Sequence, residues 1–181
     1  SGIRRVDETT ELRLMASDGN SEPLVLEHAT GPVFSRDGNW MAYRAGVHPD
    51  ELEESDEPIH DRLGLVNLAN GVDTVLFEVQ RFAFRDDGIW LAAKGYAPAD
   101  TLGADLVIMN PSTGAQTLIG NVDEFAWQDE GEFIAATLRT SWGSSNSVVL
   151  FDPEAETLRT LDSHDAHYSA LSWQDQSAQL G

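Results

Sequence analysis

Phe34-Ser35-Arg36-Asp37-Gly38-Asn39-Trp40-Met41-Ala42 and Phe84-Arg85-Asp86-Asp87-Gly88-Ile89-Trp90-Leu91-Ala92 carry one pattern: an aromatic residue, a polar step, an acidic-glycine turn, then an aromatic or apolar run that ends in small residues. Looser copies run from Trp127 to Ala135 and from Trp173 to Gly181, so successive copies are offset by 50, 43 and 46 residues. Each copy reads as strand, tight turn, strand. Asp-Gly at 37–38 and 87–88 is a strong hairpin signal, because glycine takes the positive φ that such turns require. Glu130-Gly131 is a weaker form of the turn and Gln176-Ser177 weaker still. A period of this length belongs to stacked units such as propeller blades, not to one irregular globule.

A second turn series interleaves with the first, at Asp18-Gly19, Asn70-Gly71 and Thr113-Gly114, with Ala155-Glu156 standing in at the fourth position. Short apolar runs precede these turns, as in Leu63-Gly64-Leu65-Val66 and Leu106-Val107-Ile108-Met109, and outer runs such as Thr74-Val75-Leu76-Phe77 follow them. Each unit is therefore four antiparallel strands, one blade of a β-propeller, and no window holds a helical period for long. The predicted architecture is all-β, a single propeller segment over 1–181: a half-blade at 11–27, blades at 31–78, 81–119 and 121–161, and a half-blade at 168–180. The phase runs from third and fourth strands at the start to first and second strands at the end. Either the halves join into a four-bladed ring or the chain is part of a larger propeller. Since propellers run from about 4 to 8 blades, about four blade equivalents within a larger propeller is the expectation.

The net charge of −20 comes from 31 acidic residues against ten arginines and one lysine, Lys94. No basic stripe is present to track phosphates, so nucleic acid is not an expected partner. No run approaches the roughly 18 apolar residues of a bilayer-spanning helix, and a membrane partner is not expected either. The absence of cysteine excludes disulfides and thiolate metal sites. Lysine depletion beside abundant acid fits a salt-adapted surface or ordinary solubility equally well. The segment His48-Pro49-Asp50-Glu51-Leu52-Glu53-Glu54-Ser55-Asp56-Glu57-Pro58-Ile59-His60-Asp61 breaks the blade rhythm by lengthening one connection between second and third strands. It reads as a solvated, mobile loop, with an acidic lip for a cation or a basic peptide terminus as its functional counterpart.

Candidate chemistry is sparse. Gly143-Ser144-Ser145-Asn146-Ser147 lacks the second glycine of a nucleophile elbow and is not followed by a helix, so it reads as a polar hairpin tip. His164-Asp165-Ala166-His167, with Asp162 nearby, offers imidazoles and carboxylates, but the spacing in a loop does not fix two ring nitrogens on one ion. The acidic-glycine turns lack the alternating oxygen ligands of a calcium loop. Trp40, Trp90, Trp127, Phe133 and Trp173 recur at equivalent positions and are predicted to pack between sheets, whereas Trp142 falls outside the pattern and is the aromatic to test as a surface contact. No catalytic, cofactor-binding or metal-ligating residue is assigned, and no cofactor is expected.

The repeated Phe-Ser-Arg-Asp-Gly-Asn-Trp-Met-Ala wording resembles the propeller repeats of TolB-type proteins and of serine peptidases of the prolyl oligopeptidase family. Three longer runs, Asp61 to Gly71 after the acidic insertion, Arg81-Phe82-Ala83-Phe84 and Gly103 to Asn110, together with Tyr168-Ser169-Ala170-Leu171-Ser172-Trp173, look like the N-terminal propeller of bacterial members of that peptidase family. The resemblance implies a parent with an α/β-hydrolase domain that carries the Ser, Asp and His triad, none of it in these residues. It implies a non-catalytic segment that filters access so that short peptides enter and large folded proteins do not, and that serves as scaffold for the separate hydrolase. The implied partners are that hydrolase domain or the remaining blades, with a peptide substrate, and periplasmic export or secretion follows from the resemblance alone. The alternative is an interaction propeller of the TolB or WD type that binds a partner protein on its axial face. The last copy departs from the pattern, having lost its glycine and its second aromatic, and no catalytic residue is carried over. An open arc of blades would leave apolar faces bare and favour self-association.

Overall fold

The structure, a computed structural model, describes residues 10–15, 22–54, 58–140, 146–173 and 180. Strands β1 (Glu11–Leu14) and β2 (Leu24–Glu27) form a two-stranded antiparallel sheet, with Leu12 opposite Leu26. A four-stranded sheet follows in simple meander order, built from β3 (Ala29–Phe34), β4 (Trp40–Ala45), β5 (Arg62–Asn67) and β6 (Asp73–Glu78). The remaining strands are β7 (Arg81–Phe84), β8 (Leu91–Lys94), β9 (Ala104–Met109), β10 (Gln116–Trp127), β11 (Ile134–Leu138), β12 (Asn146–Asp152) and β13 (Thr157–His164). They pair with their sequence neighbours throughout and are all antiparallel.

The inner strands bury both faces, which is why they read as apolar runs without clean alternation. On β4, Met41, Tyr43 and Ala45 point into a core shared with Leu26 of β2 and Val66 of β5, while Ala42 faces a second core with Leu63, Leu65, Leu91 and Ala93. On β8 the split repeats: Leu91 and Ala93 face that second core, and Ala92 faces a third, made with Leu106, Ile108, Phe125, Ile134 and Val149. Three cores thus alternate with the strand layers, each sandwiched between successive blades. The small residues at 42, 92 and 93 are fully buried, because the sheets approach most closely at the inner strands. This is the packing of propeller blades.

Strand β10 changes partner through 119–122, where one blade is expected to give way to the next: residues 116–119 pair with β9 and residues 122–127 with β11, so the backbone joins seven strands in one hydrogen-bonded series. The change of partner is accommodated at a register shift between Ile119 and Val122, where Asn121 adopts a φ of +60°. Gly103 leaves room for it: a Cβ there would lie 2.3 Å from the Asn121 carbonyl. The structure departs from the sequence-based expectation in a helical turn, α1 (Pro49–Glu54), inside the acidic insertion that reads as a loop. Pro49 supplies the pre-set φ of a first helical position, Asp50 and Glu51 sit favourably in the first turn, and the backbone carbonyl of His48 accepts from Glu51 N at 3.0 Å.

No described strand joins β1 and β2 to the C-terminal copy, whose described part is a single bridge between Trp173 and Leu180. The turns at 18–19 and 176–177 lie outside the described residues, as does most of the last copy.

Candidate functional site

Antiparallel meanders place alternate connections at opposite ends of the blades. The tight turns at 36–39, 86–89 and 129–132, with those at 68–71, 110–114 and 153–156, form one end; the longer connections at 46–61 and 95–103 and the links around 28 and 79–80 form the other.

At the turn end the blades are fastened by one contact repeated. Trp40 Nε1 donates to Ser112 Oγ at 3.1 Å, and Trp90 Nε1 donates to Glu154 Oε1 at 3.0 Å. In each case the second aromatic of the repeat reaches the outer turn of the following unit. The first aromatic makes a different recurrent bond: Trp127 Nε1 donates to the Ala83 carbonyl at 3.0 Å, and Trp173 Nε1 donates to that of Ala126 at 3.1 Å. These tryptophans lie between sheets. Phe133 is half-buried at the position equivalent to Trp90. Trp142 lies outside the described residues.

The polar step between the aromatic and the turn is Ser35, Arg85 and Gln128 in successive repeats, and all three are buried. In the sequence they are only the polar step of the repeat; the signal of their burial is their fixed position one residue after the first aromatic. Arg85, only 4% exposed, holds Glu154 through Nη1 at 2.8 Å and Nη2 at 2.6 Å, and its Nε bonds both Asp87 oxygens at 3.0 Å. Burial alone would raise the Asp87 carboxyl, but the bonds from Arg85 and from Ile89 N hold it below its ordinary value. Arg36 reaches the next repeat's turn at Asp86 at 2.5 Å. Together these groups line a cleft of about 630 Å³ whose other walls include Glu130 and Glu132. Arg36 and Arg85 are engaged by Asp86, Asp87 and Glu154, and with Glu130 and Glu132 also on its walls the cleft carries five carboxylates against two guanidinium groups.

At the loop end, cations on second strands staple the next first strand by its carbonyls. Arg44 donates to the Val79 and Gln80 carbonyls at 3.1 and 2.6 Å, and Lys94, fifty positions on, donates to that of Asp123 at 2.6 Å. Desolvation lowers the Lys94 ammonium, against the pull of Asp123.

The sequence candidates for chemistry do not converge. His167 Nε2 donates to Asp123 Oδ2 at 2.8 Å, Tyr168 bonds Asp162 at 2.8 Å, and His164 Nδ1 accepts from Ala166 N at 3.3 Å. Each of the three has its own partner, and among the described residues no group of three or more His, Asp or Glu side chains is arranged to hold a metal ion. Of the Gly143 to Ser147 stretch, 143–145 lie outside the described residues. Ser147 is buried in β12 between Leu138 and Ser163. Among the described residues no hydrogen bond joins a serine hydroxyl to an imidazole. Asn146, which the sequence places in a polar hairpin tip, instead begins β12 as a buried clamp: it donates to the Ala166 carbonyl at 3.0 Å and accepts from Thr140 N at 3.1 Å.

The acidic insertion is pinned at both ends by rings. His48 packs edge-on against His28 at 5.3 Å between centroids, and His60 stacks on Tyr96 at 3.6 Å and 8° while its Nδ1 donates to Glu78 at 3.1 Å. A cavity of about 310 Å³ lies beneath, lined by His28, Val47, Leu52, Ile59, His60 and Asp61. No described helix is long and apolar enough to cross a membrane.

These strands and cores define the class: the chain is built of β-propeller blades. No known protein family matches the sequence, and no curated protein matches it significantly. Solved structures do. The chain is similar to a solved structure from a study of two prolyl endopeptidases and the role of inter-domain dynamics in their catalysis and specificity, at 16% identity over 91% of this chain and 27% of that one, with a TM-score of 0.56. It is similar to the β-propeller domain of the Trilobed protease from Pyrococcus furiosus, described as having an open velcro topology, at 14% identity over 80% of this chain and 45% of that one, TM-score 0.54. An acylaminoacyl peptidase from Pyrococcus horikoshii matches at 13% identity over 80% and 26%, TM-score 0.51. The chain spans less than half the length of each.

Proposed function

We propose that this chain is the non-catalytic propeller segment of a serine oligopeptidase, restricting substrate access and serving as scaffold for a separate α/β-hydrolase domain. The observation that carries the reading is the likeness of these blades to propeller-bearing peptidases, together with the peptidase-like order of Asp61 to Gly71, Arg81 to Phe84 and Gly103 to Asn110. The contacts of Arg85 with Glu154 and the tryptophan bonds run from blade to blade, which fits a scaffold. The partners in this reading are the hydrolase domain and the remaining blades, and the substrate is a peptide short enough to pass them.

Reading the continuous coding frame beyond Gly181 tests the proposal. A segment with a Gly-x-Ser-x-Gly elbow between strand and helix is the expected result. A frame that holds propeller repeats alone would turn the assignment to a partner-binding propeller of the TolB or WD type.

A further inference from the structure

The cavity of about 310 Å³ beneath the acidic insertion holds a charge that nothing in the described chain answers. Asp61 is the one carboxylate among its lining residues, and no lysine or arginine lines it. Among the described residues the Asp61 carboxylate makes no hydrogen bond and no ion pair. Several acids at the same end are engaged: Glu78 by His60 at 3.1 Å, Asp123 by His167 at 2.8 Å, and Glu124 by Leu171 N at 2.9 Å. Arg62, the next residue, gives its Nε to the Leu76 carbonyl at 2.8 Å. Arg44, on the strand paired with β5, gives its guanidinium to the carbonyls of Val79 and Gln80.

The space in front of the carboxylate stays open because position 46 carries no side chain. A Cβ there would stand 3.6 Å from Asp61 Oδ1 and 3.0 Å from the His28 carbonyl oxygen. Val47, Leu52 and Ile59 supply aliphatic wall, and the ring contacts of His48 with His28 and of His60 with Tyr96 hold the two ends of the insertion above it. A preformed, largely apolar pocket with few convergent polar groups is the usual form of a ligand site.

We propose that this cavity binds a basic side chain of a polypeptide, the ammonium of a lysine or guanidinium of an arginine against Asp61 and its methylenes along Val47, Leu52 and Ile59. A long cationic side chain divides its surface in the same way, into apolar stem and charged head. An anion is repelled by the carboxylate, and a neutral apolar ligand would leave that carboxylate desolvated and unpaired, which is costly. The net charge of −20, with Asp50 and Glu51 exposed on α1, draws cations to this end. The exposed acids steer and Asp61 holds. The recognised group is the same whether or not a hydrolase domain adjoins these blades.

Amide spectra of the full chain during titration with N-acetyl-lysine methylamide and N-acetyl-arginine methylamide test this, beside N-acetyl-norleucine methylamide, which keeps an aliphatic stem and lacks the charge. Saturable shifts at the amides of Gly46, Val47 and Asp61 are expected with the two cationic probes, while Gly38, Gly88 and Gly114 at the turn end stay in place. The norleucine probe is expected to bind at least about tenfold more weakly, the loss of one charge-assisted contact. Asp61→Asn keeps the size of the side chain and the backbone carbonyl that accepts from Val79 N at 2.9 Å. It should weaken the cationic probes by the same factor without weakening the norleucine probe. Glu51→Gln removes an exposed charge outside the cavity lining and should change the affinities far less than Asp61→Asn does. Absence of saturable shifts, equal affinity for the norleucine probe, undiminished binding in Asp61→Asn, or an equal loss in Glu51→Gln would each overturn the proposal.

Discussion

Two glutamates carry a conformation that elsewhere in the repeats belongs to glycine. Glu156 and Glu130 adopt φ of +52° and +51°, where Gly71, Gly114, Gly38 and Gly88 provide the positive φ of the other turns. A non-glycine residue there costs roughly 1–2 kcal/mol, against an entropic cost of roughly 0.5–1 kcal/mol for glycine itself. Glu156→Gly is therefore expected to stabilise the chain by about 0.5–1 kcal/mol, read as a raised denaturation midpoint with an unchanged slope. Arg85 makes the opposite case. Its removal takes away a buried side chain and its charge-assisted bonds while the half-exposed Asp87 and Glu154 regain water, so Arg85→Ala is expected to cost about 2 kcal/mol. The pH dependence follows from the carboxyls. For Asp87, burial pushes upward and the Arg85 bonds win; for Asp37, burial again pushes upward and bonds from Ser35 and Asn39 win, so both sit below their ordinary values. Their contribution is complete above the ordinary aspartate value of about 3.9 and is lost as pH falls through the depressed folded values. Acid titration of unfolding should show this loss, and Arg85→Ala should shrink it.

Among the elements, the hairpins of the first two repeats were legible because Asp-Gly declares the turn and the flanking runs declare the strands. The meander order of β3 to β6 follows from the interleaved turn series. The change of partner within β10 falls where the repeat places a blade boundary, but the letters do not show how short the link is: Asn121 takes the positive φ there without a glycine. Helix α1 was hidden for another reason. Six residues are too few to show a period, and its support comes from Pro49 and the first-turn acids, signals of a helix start without a helix to follow. Gly64 shows a constraint that only packing reveals. The Tyr43 ring crosses β5 there, and a Cβ on Gly64 would lie 2.1 Å from Tyr43 Cζ, while the Tyr43 hydroxyl is tied to Asp73 at 2.9 Å. Gly64→Ala is expected to destabilise by about 3 kcal/mol, and Tyr43→Leu in the same chain should recover part of that loss as a coupling energy.

For the whole molecule, the layered cores explain how the segment holds together and where it is bare. Phe34 is 55% exposed at the position where Trp127 is half-buried and bonded to the preceding unit, and β1 pairs only with β2 among the described residues. Self-association through this face is our proposal for the isolated chain. With a net charge of −20, repulsion opposes it, so mass by light scattering should rise with salt as screening shortens the Debye length from about 10 Å at 0.1 M to about 3 Å at 1 M; a mass of one chain throughout would contradict it. The candidate sites were less legible than the fold. The sequence correctly directs attention to the tryptophans as recurrent positions, but Arg85 and Glu154, which fasten one blade to the next, and Asn146, which ties β12 to the link after β13, have no repeated spelling. The partners of Arg85 and Asn146 lie 69 and 20 residues away, distances a local pattern cannot show. The central claim concerns catalysis, and labelling with a fluorophosphonate serine-hydrolase probe tests it most directly, applied side by side to this chain and to the product of its complete reading frame. The account predicts label on the complete product and none on the chain; stoichiometric label on the chain, or none on either, would contradict it.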